Sequence, residues 1–220
     1  MKDCKISELF DLNETIAAPI FEGHTYPWEV LPDIKEFIIR LGNSLDPDKF
    51  EKKAENIWIA KSARVFDSAY IGPYTIVDED AVIRHCAFIR ECSIIGKGAT
   101  VGNSTELKNV ILFNKVEAPH YNYVGDSILG FHAHMGAGSI TSNIKADRTN
   151  VVVKGDEKIE TGLRKMGAVL GDYAEIGCNA VLNPGSIVCA HSNVYPTSCV
   201  RGVVFSGHIF KNDGSMVKKR

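Results

Sequence analysis

Residues 59–107 read "IAKSARVFDSAYIGPYTIVDEDAVIRHCAFIRECSIIGKGATVGNSTEL". An aliphatic residue falls on every sixth position: Ile59, Val65, Ile71, Val77, Ile83, Ile89, Ile95, Val101 and Leu107. Four residues after each of the first eight comes a small one: Ala63, Ala69, Thr75, Ala81, Ala87, Ser93, Ala99 and Thr105. Positions i and i+4 share parity, so in an extended chain they point to the same side. The template resumes with Tyr123/Ser127, Leu129/Ala133 and Met135/Ser139, and again from Leu170/Ala174 to Val194/Ser198.

A hexad repeat of this kind predicts a parallel β-helix, in which each hexad is a short strand plus a corner. No single repeat buries its own face, so stability comes from stacked neighbours. The helix is expected over 57–205, with the pattern leaving register at 113–122 and at 141–163. Both lapses are expected to be loop excursions, because specific chemistry must come from corners and loops that stand out from a flat wall. Residues 1–56 lack the repeat. There "LPDIKEFIIRLG" sets Ile34, Phe37, Ile38 and Leu41 on one helical stripe ending at Gly42, and "DPDKFEKKAE" predicts a second short helix capped by Asp46. A helical cap over the first coil is the expected role of this segment. The tail, 206–220, is short, polar and basic, and a frayed end is expected.

Bulk properties remove several function classes. With 220 residues the chain can bury a real core. A formal net charge of −2 predicts no nucleic acid or anionic membrane partner. No apolar run approaches the roughly 20 residues that span a bilayer. "MKDCKISELF" lacks the apolar core of a secretory signal, and six cysteines without framework spacing read as reduced thiols; a cytoplasmic protein is expected.

Inside the first lapse His120 stands beside Tyr121 and Tyr123, and beyond it lies "MGAGSITSN", Met135 to Asn143. Together with "VGNSTELKNV" (101–110) and "APHYNYVGDSILG" (118–130), these residues resemble the acetyltransferase domain of the bifunctional glucosamine-1-phosphate acetyltransferases/N-acetylglucosamine-1-phosphate uridyltransferases. The resemblance runs from about Arg90 to Ile144 and resumes near Gly167. Its His-x-x-Tyr-x-Gly-Asp and Gly-Ala-Gly-x-Ile-Thr-x-Asn motifs are far more specific than a hexad alone. No Gly-rich nucleotide loop is present, so pyrophosphorylase activity is not expected.

The resemblance implies a left-handed parallel β-helix of three hexads per coil, a homotrimer, and acetyl-CoA as co-substrate for N-acylation of an amino sugar, as an amino-sugar phosphate or a nucleotide sugar. It makes His120 the general base. It assigns Arg90, Lys108, Tyr123 and, where the family has Asn, His134 to the sugar phosphate. Ala137, Asn143 and Cys178 fall on positions that meet acetyl-CoA. Chemistry agrees independently. Imidazole suits an amine that must lose a proton near neutral pH, a Gly-Ala-Gly backbone can offer N–H groups to an oxyanion, and Arg90 and Lys108 supply cations for a phosphate. Glu106 shares the parity of Lys108 and is expected to orient it.

Departures at His134, Ile144 (family Tyr), Cys178 (family Ser) and Pro196, and a longer loop holding Arg148, set the sugar specificity apart from the family. They also keep a non-catalytic trimeric binding or regulatory protein in view. A zinc enzyme like the hexapeptide-repeat carbonic anhydrases is a third reading, prompted by His85, His120 and the His132/His134 pair. The histidine spacing of that family is not met, since five beyond His120 stands Gly125, and no metal site is expected.

Overall fold

The computed structural model describes residues 1–219. From Ile57 onward the chain winds as a solenoid with three parallel faces. The first face stacks Ile57–Ala60, Thr75–Val77 and the later halves of Phe88–Ile95, Glu106–Leu112 and Tyr123–Leu129, then Ala168–Leu170, Ser186–Val188 and Val203–Val204. On the second face, Thr100–Asn103, Glu117–His120, His134–Met135, Glu175–Ile176 and Asn193–Val194 follow one another. The third carries the early halves of the three long strands, then Ile140–Thr141, Val181–Leu182 and Cys199–Val200.

The two columns of the hexad both point inward. Ile83, Ile89, Ile95, Val101 and Leu107 are fully buried, and so are Thr75, Ala81, Ser93, Ala99 and Thr105. Buried hydroxyls find partners across the corners: Thr75 Oγ1 donates to Gly72 O (2.9 Å) and Thr105 Oγ1 to Ala118 O (3.0 Å). At the corners the backbone enters the left-handed region, at Gly98 and at the non-glycine residues Tyr74, Asp80, Cys86, Cys92, Ser104, Asn109, Lys115, Tyr121, Asp126 and His132. Such a residue costs roughly 1–2 kcal/mol, which stacking over-determines coil after coil.

These corners explain the loss of register. They step by six residues except from Ser104 to Asn109 and from Tyr121 to Asp126, where one residue is missing. Both shortened sides lie on the third face and carry Lys108 and Tyr123. The excursion expected at 113–122 is therefore not one: Glu117–His120 pairs in parallel with strands on both sides, and Ala118 points into the core. The second lapse does leave the wall. After Thr141 the chain builds an antiparallel hairpin, Val152–Lys154 with Lys158–Glu160, and re-enters at Ala168. Gly167 makes the re-entry possible, since a Cβ there would sit 2.2 Å from Gly125 O.

Residues 1–45 form short 3₁₀ and α turns and one helix, Ile34–Ser44. They do not sit as a lid on the first coil but run as a strap along the first face. Asp3 O accepts from Cys189 Sγ (3.4 Å), Leu9 O from Asp172 N (2.9 Å), Glu14 O from Asn114 N (2.9 Å), and Leu31 O from Asn109 Nδ2 (3.3 Å). The helix ends against the first coil, with Gly42 on the Trp58 ring. The physical reason is that the first face is apolar on both sides. Beside the inward Val77, Ile95, Leu112, Leu129 and Val188 stand Ile76, Ile94, Ile111, Ile128 and Ile187, facing out yet fully buried beneath the strap. Burying each isoleucine contributes about 1.5–3 kcal/mol.

Two further expectations are corrected. Asp46 caps a single turn, in which Phe50 N donates to Asp46 O (2.8 Å), and Phe50–Ala54 then pairs antiparallel with Ile57–Ala60. The opening strand would otherwise leave an unpaired edge, and the charged Glu51, Lys52 and Lys53 blunt the new one. The tail is not frayed either: His208–Phe210 extends the second face and Met216–Lys218 folds back on it. Among the described residues no helix is long and apolar enough to cross a membrane.

Candidate active site

The residues singled out in the sequence gather in two places on either side of the corner at Tyr121–Asn122. On the third face, Arg90 is the extra residue of a β-bulge: Ile89 pairs with Leu107 and Glu91 with Lys108, leaving Arg90 unpaired and re-aimed. Its Nη1 donates to Glu106 Oε1 at 2.9 Å. Glu106 thus holds Arg90 and not Lys108, because pairing across coils puts it one turn from the bulge. Lys108 Nζ instead donates to Asp126 Oδ1 at 3.0 Å.

Asp126 is the hub of this cluster. Only 4% exposed, it also accepts from Asn109 Nδ2 (3.0 Å) and, on Oδ2, from Asn143 Nδ2 (2.6 Å). Asn143 Nδ2 reaches the Tyr123 hydroxyl as well, at 3.2 Å. The Asn143 amide is therefore spent on the group around Lys108 and Tyr123. Burial, and then the Asp126 and Glu106 carboxylates, push the Tyr123 hydroxyl above its ordinary value, so it stays a protonated donor. Gly125 leaves room for that hydroxyl, which would lie 2.5 Å from a Cβ. Each cation here has a carboxylate partner. The exposed Arg90–Glu106 pair can open toward an incoming anion, whereas the buried Lys108–Asp126 pair is structural.

The second cluster lines a cavity of about 410 Å³ on the second face, bounded by Arg84, Thr100, Glu117, Pro119, His120, His134, Gly136, Ala137 and Cys178. His120 ends the Glu117–His120 strand with its backbone pinned: its N–H donates to Asn122 Oδ1 (3.1 Å) and its C=O accepts from Gly138 N (3.0 Å). The exposed imidazole has no hydrogen-bond partner among the described residues. His134 Nδ1 lies 3.0 Å from Glu175 Oε2, a contact that orients the ring.

The turn Gly136–Ser139 lies one coil on from His120, and its amides are largely spoken for. Gly136 N donates to Ile176 O (2.7 Å), Gly138 N to His120 O and Ser139 N to Gly136 O (3.1 Å). Among the described residues, only the Ala137 amide of this turn is left without an acceptor. The expected Gly-Ala-Gly donor set reduces to that one N–H. Asn122, which the sequence reading passed over, ties base and turn together. Buried, it accepts from His120 N and donates through Nδ2 to Gly136 O (2.9 Å) and Ser139 O (3.1 Å). Its place after a corner residue with positive φ, between two tyrosines, was the available signal.

His134, Gly136 and Cys178 also line an adjoining groove of about 450 Å³ that runs along the second face to Asn193, Tyr195, Pro196 and Ile209. Of the Asn193 side chain that borders it, Oδ1 is buried without a hydrogen-bond partner among the described residues. The histidine pair considered for metal is split. His132 sits at a corner, with its ring stacked on Tyr173 at 5.4 Å, while His134 faces Glu175. Among the described residues no group of three or more His, Cys, Asp or Glu side chains is placed to hold a metal ion.

No protein-family model matches the chain. It is similar to a bifunctional sugar-1-phosphate nucleotidylyltransferase/acetyltransferase of Sulfurisphaera tokodaii, 31% identical over 146 residues, which are 66% of this chain and 32% of that protein. Bifunctional GlmU proteins match likewise. That of Methanocaldococcus jannaschii is 31% identical over 154 residues, covering 69% of this chain and 33% of the relative. That of Methanococcus maripaludis is 32% identical over 121 residues, covering 54% and 29%. The chain thus spans about a third of the length of the curated relatives it matches. Among solved structures, a mutant perosamine N-acetyltransferase from Caulobacter crescentus in complex with CoA and GDP-perosamine is 17% identical. It aligns with TM-score 0.37 over 74% of this chain and 57% of its own. The polySia-specific acetyltransferase NeuO is 11% identical, with TM-score 0.41 over 75% and 83%.

Proposed function

Because the chain is a homologue of GlmU-type bifunctional proteins over a stretch of about 150 residues, we propose that it is a CoA-dependent N-acyltransferase. Its acceptor is an amino sugar carrying a phosphate or nucleotide, and acetyl-CoA is the donor. The observation that carries this reading is one cavity lined both by His120, with its exposed imidazole, and by Ala137, the one residue of a tight turn whose amide is uncommitted.

In the proposed reaction the amine nitrogen attacks the thioester carbon, and a ring nitrogen of His120 takes its proton. The carbonyl oxygen gains charge and is met by the Ala137 N–H. The C–S bond then breaks, and the CoA thiolate leaves with the proton that His120 returns. The groove from Cys178 to Pro196 suits the pantetheine arm. Arg90, released from Glu106, takes the acceptor's phosphate across the corner, with the Tyr123 hydroxyl as a neutral donor beside it.

A homotrimer belongs to the same reading. The strap covers the first face, so the second and third remain for neighbours. On the third, Tyr70 and Phe88 stay 56% and 42% exposed with ring centroids 5.5 Å apart. Sedimentation at the mass of one chain would remove this element.

The test mixes the protein with acetyl-CoA and glucosamine 1-phosphate, or nucleotide-linked amino sugars, and follows free thiol. His120→Ala should abolish turnover; unchanged turnover, or no amine accepted, sinks the proposal. The lack of a partner for His120 and the burial of Lys108 on Asp126 favour one competing reading, a binding protein without catalysis. Calorimetry with CoA separates them, since a transferase must bind it.

A further inference from the structure

A cavity of about 450 Å³ lies between the projecting hairpin and the late coils, and none of its lining residues belongs to the His120 cavity. Its walls include Lys145, Val152 and Lys154 on one side and Asn183, Pro184 and Arg201 on the other. The hairpin is clamped onto the coil. Val151 and Val153 are fully buried, and Gly202, at φ +93°, lies so close that a Cβ would meet Lys154 O at 2.2 Å. The chain's own amino group holds the hairpin tip through Glu157 Oε2 at 3.2 Å.

The charges in this cavity do not cancel. Lys145 is committed to Asp147 (3.5 Å) and to Asn150 O (3.3 Å). Lys154 and Arg201, both exposed, have no carboxylate within ion-pair distance among the described residues. An ammonium and a guanidinium, one a point charge and the other a planar fork, border a space larger than one phosphate. Ile144, 39% exposed, lines it with Val152 and Pro184 and offers apolar surface to whatever the phosphate carries.

We propose that this cavity is a second ligand site, which binds an organic diphosphate of nucleoside-diphosphate size through Lys154 and Arg201. The ADP portion of a CoA molecule and the diphosphate of a sugar nucleotide share this chemistry. The proposal stands apart from acyl transfer at His120.

Full-length protein is titrated calorimetrically with ADP, UDP and inorganic pyrophosphate, alone and at raised salt. The expected result is salt-sensitive binding that weakens at least about tenfold in the Lys154→Ala/Arg201→Ala double variant and is unchanged in His120→Ala. Stronger binding of ADP than UDP points to a CoA source, and the reverse to a sugar nucleotide. Both cations are exposed, so matching thermal melts are expected for the double variant. Absence of binding to the parent protein, or equal binding by the double variant, overturns the proposal. Loss of turnover in His120→Ala with diphosphate binding intact bears on the catalytic reading alone.

Discussion

Lys108 and Asp126 form an ion pair, Nζ to Oδ1 at 3.0 Å, with Asp126 almost wholly buried and Lys108 19% exposed along its side chain. Removing one member leaves the other charge without compensation. Lys108→Ala should therefore lower unfolding free energy by about 3 kcal/mol, whereas Arg90→Ala, on the exposed pair, should cost under about 1 kcal/mol. Urea unfolding of both variants checks the contrast. Equal stabilities would show that Lys108 is not structural.

Arg90→Ala should act on function instead. If Arg90 swaps Glu106 for a substrate phosphate, KM for the phosphorylated acceptor rises with little change in kcat. Glu106→Gln should lower that KM by freeing the guanidinium. Steady-state kinetics of the two variants should move in opposite directions.

Asn122 joins the His120 strand to the Gly136–Ser139 turn through three contacts. Asn122→Ala should cut kcat about 10–100-fold while binding of CoA changes little, because the base and the oxyanion donor lose their relative position. A cost of about 1–3 kcal/mol in stability is expected beside it. A fall in CoA affinity matching the fall in rate would make Asn122 structural only.

Thiol reactivity reads the groove directly. Cys86, Cys178 and Cys199 are exposed and should react with an aromatic disulfide reagent in the native state, with CoA protecting Cys178 alone. Cys92 should stay silent, since burial pushes its thiol up to about 11. A raised folded-state value means the neutral thiol favours the fold. That contribution is full below the ordinary value near 9 and is lost as pH rises toward about 11. Cys92→Ala should flatten the stability curve in that window.

Phe113 fastens the strap. It is fully buried, with ring centroids 4.8 Å from Phe10 and 5.8 Å from Phe21. Phe113→Ala should cost about 3–5 kcal/mol and raise amide exchange across residues 1–21 before it does so in the coils. Uniform loss of protection would mean strap and solenoid unfold as one unit.

The hexad columns by themselves determined the solenoid and its core. Each inward pair and each left-handed corner is a local arrangement, repeated within six residues, so periodicity alone carries it. The doubled aliphatics Ile76/Val77, Ile94/Ile95 and Ile111/Leu112 were equally readable, and they marked the face that needs a cover. What covers it, a strap and not an end cap, depended on contacts such as Leu9 with Asp172, more than 160 residues apart. The site residues were named by motif, but their partners were chosen by coil-to-coil register. One residue dropped from each of two third-face sides, and one bulged at Arg90, decide that Glu106 meets Arg90 and Asp126 meets Lys108. A pairing made 16 to 18 residues away across a stack leaves no trace in local spacing, which is why only the folded chain could decide it.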